Sequence, residues 1–155
     1  LDMAEFERPQ DLECLGDISS LVVMETGGMK GRRREMLREE VHEVLTKAFN
    51  VQAIHSEYGM TELLSQSYSQ GDGIFDASAT MRILLRDIND PRAVYERPQS
   101  GLRYGGINVI DLANLDSCAF IETQDLGRFV GESGNQFEVI GRFDNSDVRG
   151  CNLLI

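Results

Sequence analysis

Apolar residues recur at helical spacing in one part of this chain and in short runs elsewhere. Across residues 32–49, Met36, Leu37, Val41, Val44, Leu45, Ala48 and Phe49 fall on one stripe, which predicts an amphipathic helix. Glu43 and Lys47 form a favourable i,i+4 pair on its other side. Lys30, Arg32, Arg33 and Arg34 crowd its start, where the macrodipole disfavours cations, so they are either solvated or facing an anion. The continuous run at 21–24 (LVVM) predicts a strand buried on both faces. Val51, Ala53 and Ile54 predict a second buried strand after the helix, giving a βαβ unit.

The period then changes. Residues 63–75, polar and carrying Gly71-Asp72-Gly73, predict a loop. Short strands are predicted at 81–85, 106–112, 119–122, 127–130 and 137–140, separated by turn sequences such as Asn89-Asp90-Pro91 and Ser133-Gly134-Asn135. The expected fold class is α/β, a parallel βαβ unit followed by a small antiparallel β region. Cys118, within SCAF, is expected in strand core.

Composition adds limits. The 155 residues amount to one domain, and 41% hydrophobic with 26% charged residues suits a packed core. A net charge of −11 repels phosphate backbones and anionic lipid, which disfavours nucleic-acid and membrane-surface roles. No apolar run approaches membrane-spanning length, and no signal peptide opens the chain. Cys14, Cys118 and Cys151 are odd in number and far apart, which fits reduced thiols and a cytoplasmic setting better than a disulfide framework or a zinc site. The chain begins at Leu1 without an initiator Met, so it reads as a piece of a longer protein, with residues 1–20 as a lead-in segment.

Candidate chemistry gathers where the second βαβ strand ends. Ligands of open α/β sheets bind at the carboxyl ends of the strands. There, Tyr58-Gly59-Met60-Thr61-Glu62 offers an aromatic ring, a glycine for close approach, a hydroxyl and a carboxylate. Those are the needs of a bound nucleotide, although ordinary turn chemistry uses the same residues. Gly27-Gly28 ends the first strand and allows close approach to a flat ligand or a positive φ. His55, just before the loop, is better placed to line a site than His42 on the helix. Asp125, in the segment 122–128, reads as a carboxylate at a strand-to-strand turn that can accept two hydroxyl hydrogen bonds, as ribose requires, or as an Asx-type hairpin turn. Gly141-Arg142-Phe143-Asp144 and Asp147-Val148-Arg149-Gly150-Cys151 close the chain with guanidiniums, carboxylates and a thiol.

Five of these segments stand in the order and at about the spacing found in the adenylate-forming ligases: Gly27-Gly28, residues 58–62, the β-rich stretch near Gly106, residues 125–128 and residues 141–144. In detail (ETGGMKGRRREM, SEYGMTE, INVIDLANLDSCAFIETQDLGR, GRFDNSDVRGCN) the chain resembles the acyl-protein synthetases, the fatty-acid-activating component of the bacterial luminescence fatty-acid reductase. The resemblance implies that residues 21–140 are part of the ATP-binding ligase domain and residues 141–155 a hinge-like carboxy-terminal tail. It sets Gly27 and Gly28 against adenine with Tyr58 on its face and Gly59 beside it, Thr61 at the α-phosphate, and Glu62 on Mg²⁺. Asp125 would hold the ribose hydroxyls and Arg142 would support ribose or phosphate.

The activity implied is ATP-dependent conversion of a fatty or other carboxylic acid to an acyl-adenylate, followed by transfer to a protein cysteine, with an acyl-CoA or acyl-protein reductase as a partner. Cys151 is the expected acceptor: the acyl-protein synthetases carry a thioester on a cysteine near this end. Arg149 would favour its thiolate, and Gly150 leaves the sulfur approachable. The Ser/Thr/Gly-rich phosphate loop of the family has no counterpart in this sequence, so residues 1–155 alone are expected to be inactive. Such a piece is also expected to self-associate through apolar surface. The alternatives are an acyl- or aryl-CoA ligase of the phenylacetate type and a non-catalytic interaction domain.

Overall fold

The structure is a computed structural model that describes residues 20–27, 36–100 and 104–143. Among them the elements run β1 (Met24–Glu25), α1 (Arg38–Phe49), β2 (His55–Tyr58), β3 (Ser67–Ser69), β4 (Ile74–Asp76), β5 (Met81–Arg86), β6 (Val94–Tyr95), β7 (Gly105–Asp111), β8 (Phe120–Val130) and β9 (Gln136–Arg142). The strands form one mixed sheet in the order β1-β2-β3-β4-β9-β8-β7-β5-β6. Only β1 and β2, on either side of α1 in sequence, pair in parallel; every other described pairing is antiparallel. A parallel pair followed by an antiparallel region is the α/β arrangement the hydrophobic pattern predicts.

Several boundaries differ from expectation for physical reasons. The helix starts at Arg38, because the Glu40 carboxylate accepts the Leu37 backbone N–H (2.9 Å) and seals its first turn; Asn50 closes it in the left-handed conformation (φ 50°). Leu37 therefore lies outside the helix and is exposed, and Leu45 alone of the predicted stripe is buried. The second parallel strand is His55–Tyr58, not the preceding apolar run. Ile54 is buried beside it, and the strand itself alternates half-buried and buried positions. The expected loop at 63–75 holds β3 and β4, joined by a turn in which Asp72 (φ 58°) and Gly73 (φ 68°) take left-handed backbone. The two strands predicted at 119–122 and 127–130 are one strand, β8, with a register shift between Leu126 and Gly127. Gly127 is required there: a Cβ would meet the Glu138 carbonyl oxygen and Ile107 Cδ1, each at 2.7 Å. Cys118, expected in strand core, is exposed in the approach to β8.

The core lies on the inner face of the curled antiparallel region. Tyr58, Leu63, Phe75, Met81, Ile83, Leu85, Ile107, Val109 and Phe137 form one buried cluster. Phe75 and Phe137 face each other across β4 and β9 and stack at 5.6 Å between centroids. The curl brings β3 against β5, distant in sheet order, so that Ser67 Oγ donates to Met81 Sδ at 3.1 Å. Burial of each large side chain stabilises this wrap by about 1.5–3 kcal/mol. No helix among the described residues is long and apolar enough to cross a membrane.

Candidate functional site

Because β1 and β2 are parallel, with Met24 opposite His55 and Glu25 opposite Ser56, the segments that follow them leave the same edge of the sheet. Gly27 follows β1 with φ 76°, and its N–H donates to the Glu25 carboxylate at 2.6 Å. That carboxylate also faces Arg38 Nε (3.8 Å) and His42 Nε2 (3.7 Å) on α1. His42 in turn reaches Ser56 Oγ at 3.3 Å, so His42, rather than His55, is the histidine tied to this edge. Gly28, expected beside Gly27, lies outside the described residues.

After β2, Gly59, Met60, Thr61 and Glu62 form a turn closed by the Leu63 N–H on the Met60 carbonyl (3.0 Å). Thr61 and Glu62 are exposed on it. The turn is fastened from a distant part of the chain. Asn114 Nδ2 donates to the Glu62 carbonyl at 2.7 Å, and Asp111 accepts from the Leu64 N–H (2.7 Å), the Ser65 N–H (2.9 Å) and the Ser65 hydroxyl (2.6 Å). Asp111 is fully buried. Burial alone would raise its pKa, but the hydrogen bonds from Ser65, Leu64 and Ala113 outweigh it and hold the carboxyl below the usual carboxylate range.

Tyr58 ends β2 and carries the site into the antiparallel region. Its hydroxyl donates to Asp125 Oδ2 at 3.0 Å, across 67 positions of sequence. Burial, then the Asp125 charge beside it, push the phenol well above its ordinary pKa, so it stays a neutral donor. The ring is only 8% exposed, edge-on to Phe137 at 5.4 Å and tilted on Phe75 at 6.0 Å. The ring expected on the adenine face is thus packed among core aromatics, and its hydroxyl is held by Asp125.

Asp125 is likewise not at a turn but inside β8, directly opposite Arg142 of β9. Its Oδ1 lies 3.6 Å from Arg142 Nε, and its own N–H donates to Thr123 Oγ1 at 3.1 Å. The Thr123 hydroxyl donates to the Ile107 carbonyl at 2.8 Å, which ties this part of β8 to β7. Arg86, buried beside β7, donates to the Thr123 carbonyl at 2.8 Å, and its guanidinium lies 5.2 Å from the Phe143 ring centroid.

The structure thus brings Tyr58, Asp125 and Arg142 together and sets Gly27, Gly59, Thr61 and Glu62 on the loops of one sheet edge. Cys151 lies outside the described residues. No group of three or more His, Cys, Asp or Glu side chains able to hold a metal occurs among the described residues. Mg²⁺ needs no such cluster, since it keeps waters and takes phosphate oxygens. Two shallow grooves, one beside Leu84, Ile110 and Phe120 and one at Gln70, Asp72 and Asp76, are lined by none of these residues. Asp111, Asn114, Thr123 and Arg86 are the site's unanticipated members. Their one local signal was Asp111 at a strand end, where its side chain also accepts the Ala113 N–H.

No family model matches the sequence, and no curated protein matches it. Among solved structures, that of the luciferase-like enzyme from the nonluminescent mealworm Zophobas morio matches 92% of this chain with a TM-score of 0.53 and 18% identity. The chain spans 35% of that enzyme's length. At that identity the likeness establishes the fold alone. It also corrects the narrower identification drawn from the motifs, since the likeness found is to a luciferase-like enzyme and not to an acyl-protein synthetase.

Proposed function

We propose that this chain supplies the nucleotide-holding sheet edge of an enzyme of the adenylate-forming superfamily, one that activates a carboxylic acid with ATP. The luciferase-like fold and the motif order support the class. The single observation that carries the reading is the Tyr58–Asp125–Arg142 constellation at the carboxyl end of the parallel pair, which three separate motifs supply.

In this reading Asp125 accepts the two ribose hydroxyls. One of its oxygens is already held by Tyr58, and its remaining lone pairs are free to be shared, because a carboxylate has about four acceptor sites. Arg142, half exposed, pairs with that carboxylate and can reach phosphate. Gly27 leaves the backbone open to a flat base. Thr61 would donate its hydroxyl to the α-phosphate, and Glu62 would hold Mg²⁺. When bound, that ion offsets charge on the phosphates. The acid's carboxylate attacks the α-phosphorus, a new acyl–phosphate bond forms, and pyrophosphate leaves with the electron pair of the broken bond.

The test is exchange of labelled pyrophosphate into ATP, catalysed by the complete gene product and dependent on an added carboxylic acid, across fatty and aryl acids. Exchange is expected with at least one acid and is expected to vanish in Glu62→Ala while the thermal midpoint stays unchanged. Exchange with no acid, or a Glu62→Ala variant that exchanges at the wild-type rate, would overturn the reading.

A further inference from the structure

We infer that Asp111 and Asn114, at the end of β7, are positioning residues that moor the Thr61–Glu62 turn and thereby set affinity for the metal-bound phosphates rather than for the nucleoside. The inference rests on the activity proposed above. It begins from an imbalance in how the site is held. The nucleoside-facing group, Asp125, is fixed from Tyr58 and Arg142, whereas the Thr61–Glu62 turn is fixed by the distant β7 corner.

Four donors converge on the buried Asp111: the Leu64, Ser65 and Ala113 backbone N–H groups and the Ser65 hydroxyl, at 2.6–3.0 Å. Ser65 Oγ also lies 2.6 Å from Thr80 Oγ1, so the network reaches the start of β5. Asn114, itself 6% exposed, spends both amide hydrogens on backbone carbonyls, those of Glu62 (2.7 Å) and Cys118 (3.1 Å). A buried network in which each donor has an acceptor is stiff, because loosening one bond leaves a buried polar group unpaired. The exposed Thr61 and Glu62 therefore ride on a rigid mount. A carboxylate that is to hold a metal gains from such a mount, because its affinity depends on how firmly the groups around it fix its position.

The separating measurement is calorimetric binding of Mg·ATP and of AMP to the complete gene product, alongside amide hydrogen exchange of residues 59–65. Asn114→Ala is expected to weaken Mg·ATP about tenfold, as loss of an outer-shell partner does, and to leave AMP within about twofold. Exchange in the turn is expected to rise by about tenfold or more, with β5 and β7 unchanged. Asp111→Asn should give the same pattern more strongly; if it does not fold, Asn114→Ala still decides. Equal weakening of AMP and Mg·ATP, or an unchanged turn in Asn114→Ala, would overturn the mooring. A wild-type protein that binds neither nucleotide would instead overturn the proposed activity, and the exchange data would then judge the mooring by themselves.

Discussion

Replacing Tyr58 with Phe removes one oxygen and tests the central contact of the site. The ring's packing on Phe75 and Phe137 is retained, so no cavity opens, and what disappears is the O–H donated to Asp125 at 3.0 Å. A hydrogen bond to a charged group contributes about 1.5–3 kcal/mol. The Asp125 side chain is 16% exposed and keeps Arg142 at 3.6 Å, so water and the guanidinium recover part of the loss and the cost should fall near about 2 kcal/mol. In a domain of this size that lowers the thermal midpoint by about 4–8 °C. A second, independent signature lies in alkali. The folded-state pKa of Tyr58 is raised above its ordinary value of 10.0, by burial first and by Asp125 second. Its contribution is therefore fully present below about pH 10 and is lost as pH rises, because the unfolded chain then releases a proton that the folded chain retains. The slope is about 1.4 kcal/mol per pH unit. Urea unfolding of wild type and Tyr58→Phe between pH 8 and pH 11 isolates it, since all other tyrosines and lysines are common to both. If the two proteins lose stability in parallel above pH 10, the buried-donor reasoning is wrong.

Asp125→Ala should weaken ATP binding by about 1–3 kcal/mol for one lost charged acceptor, measured by calorimetry; unchanged affinity would remove Asp125 from the ribose site. Asp111 has a folded-state pKa below its ordinary value, so its stabilisation is present above about pH 4 and fades as pH falls further. The stability gap between wild type and Asp111→Asn should therefore narrow under acid unfolding below pH 4, and a gap constant from pH 7 to pH 3 would count against the network. Gly127→Ala should destabilise by about 1–3 kcal/mol, because the atoms its Cβ would meet include a backbone carbonyl that cannot rotate away; a neutral effect in a thermal melt would mean that the bulge relaxes.

What the pattern of residues made legible follows from how each element is stabilised. β5, β7 and β9 carry Met81, Ile83, Leu85, Ile107, Val109 and Phe137 at alternating positions against one core, so period-two apolarity reveals them. β3 does not, because its inward positions are Ser67 and Ser69, both fully buried and satisfied through Met81 Sδ and the Gly71 carbonyl. β2 escapes the apolar pattern for the same reason, since Ser56 fills a buried position with a polar side chain. Asp125-Leu126-Gly127 has turn composition yet lies in a strand, because a register shift absorbs the glycine and cross-strand Arg142 meets the aspartate. The candidate site residues are suggested by motif order. Asp111 and Asn114 are not, because their partners in the turn lie 46 to 52 positions away.

The geometry also explains why the proposed nucleotide edge is joined to so much antiparallel sheet. A two-residue β1 and a four-residue β2 are too short to fix loops at their ends by their own ladder hydrogen bonds. Each side of the second loop is instead held from the curled sheet, Tyr58 by Asp125 of β8 before it and the Glu62 carbonyl by Asn114 after it. Both anchors converge on β7: Thr123 bonds the Ile107 carbonyl, Arg86 lies against the same strand, and Asp111 ends it. β7 is thus the common reference for the nucleoside side and the phosphate side of the proposed site. Loosening β7 should affect both sides together, whereas loosening either anchor should affect one. That difference separates an edge organised by β7 from two loops that share an edge by chance.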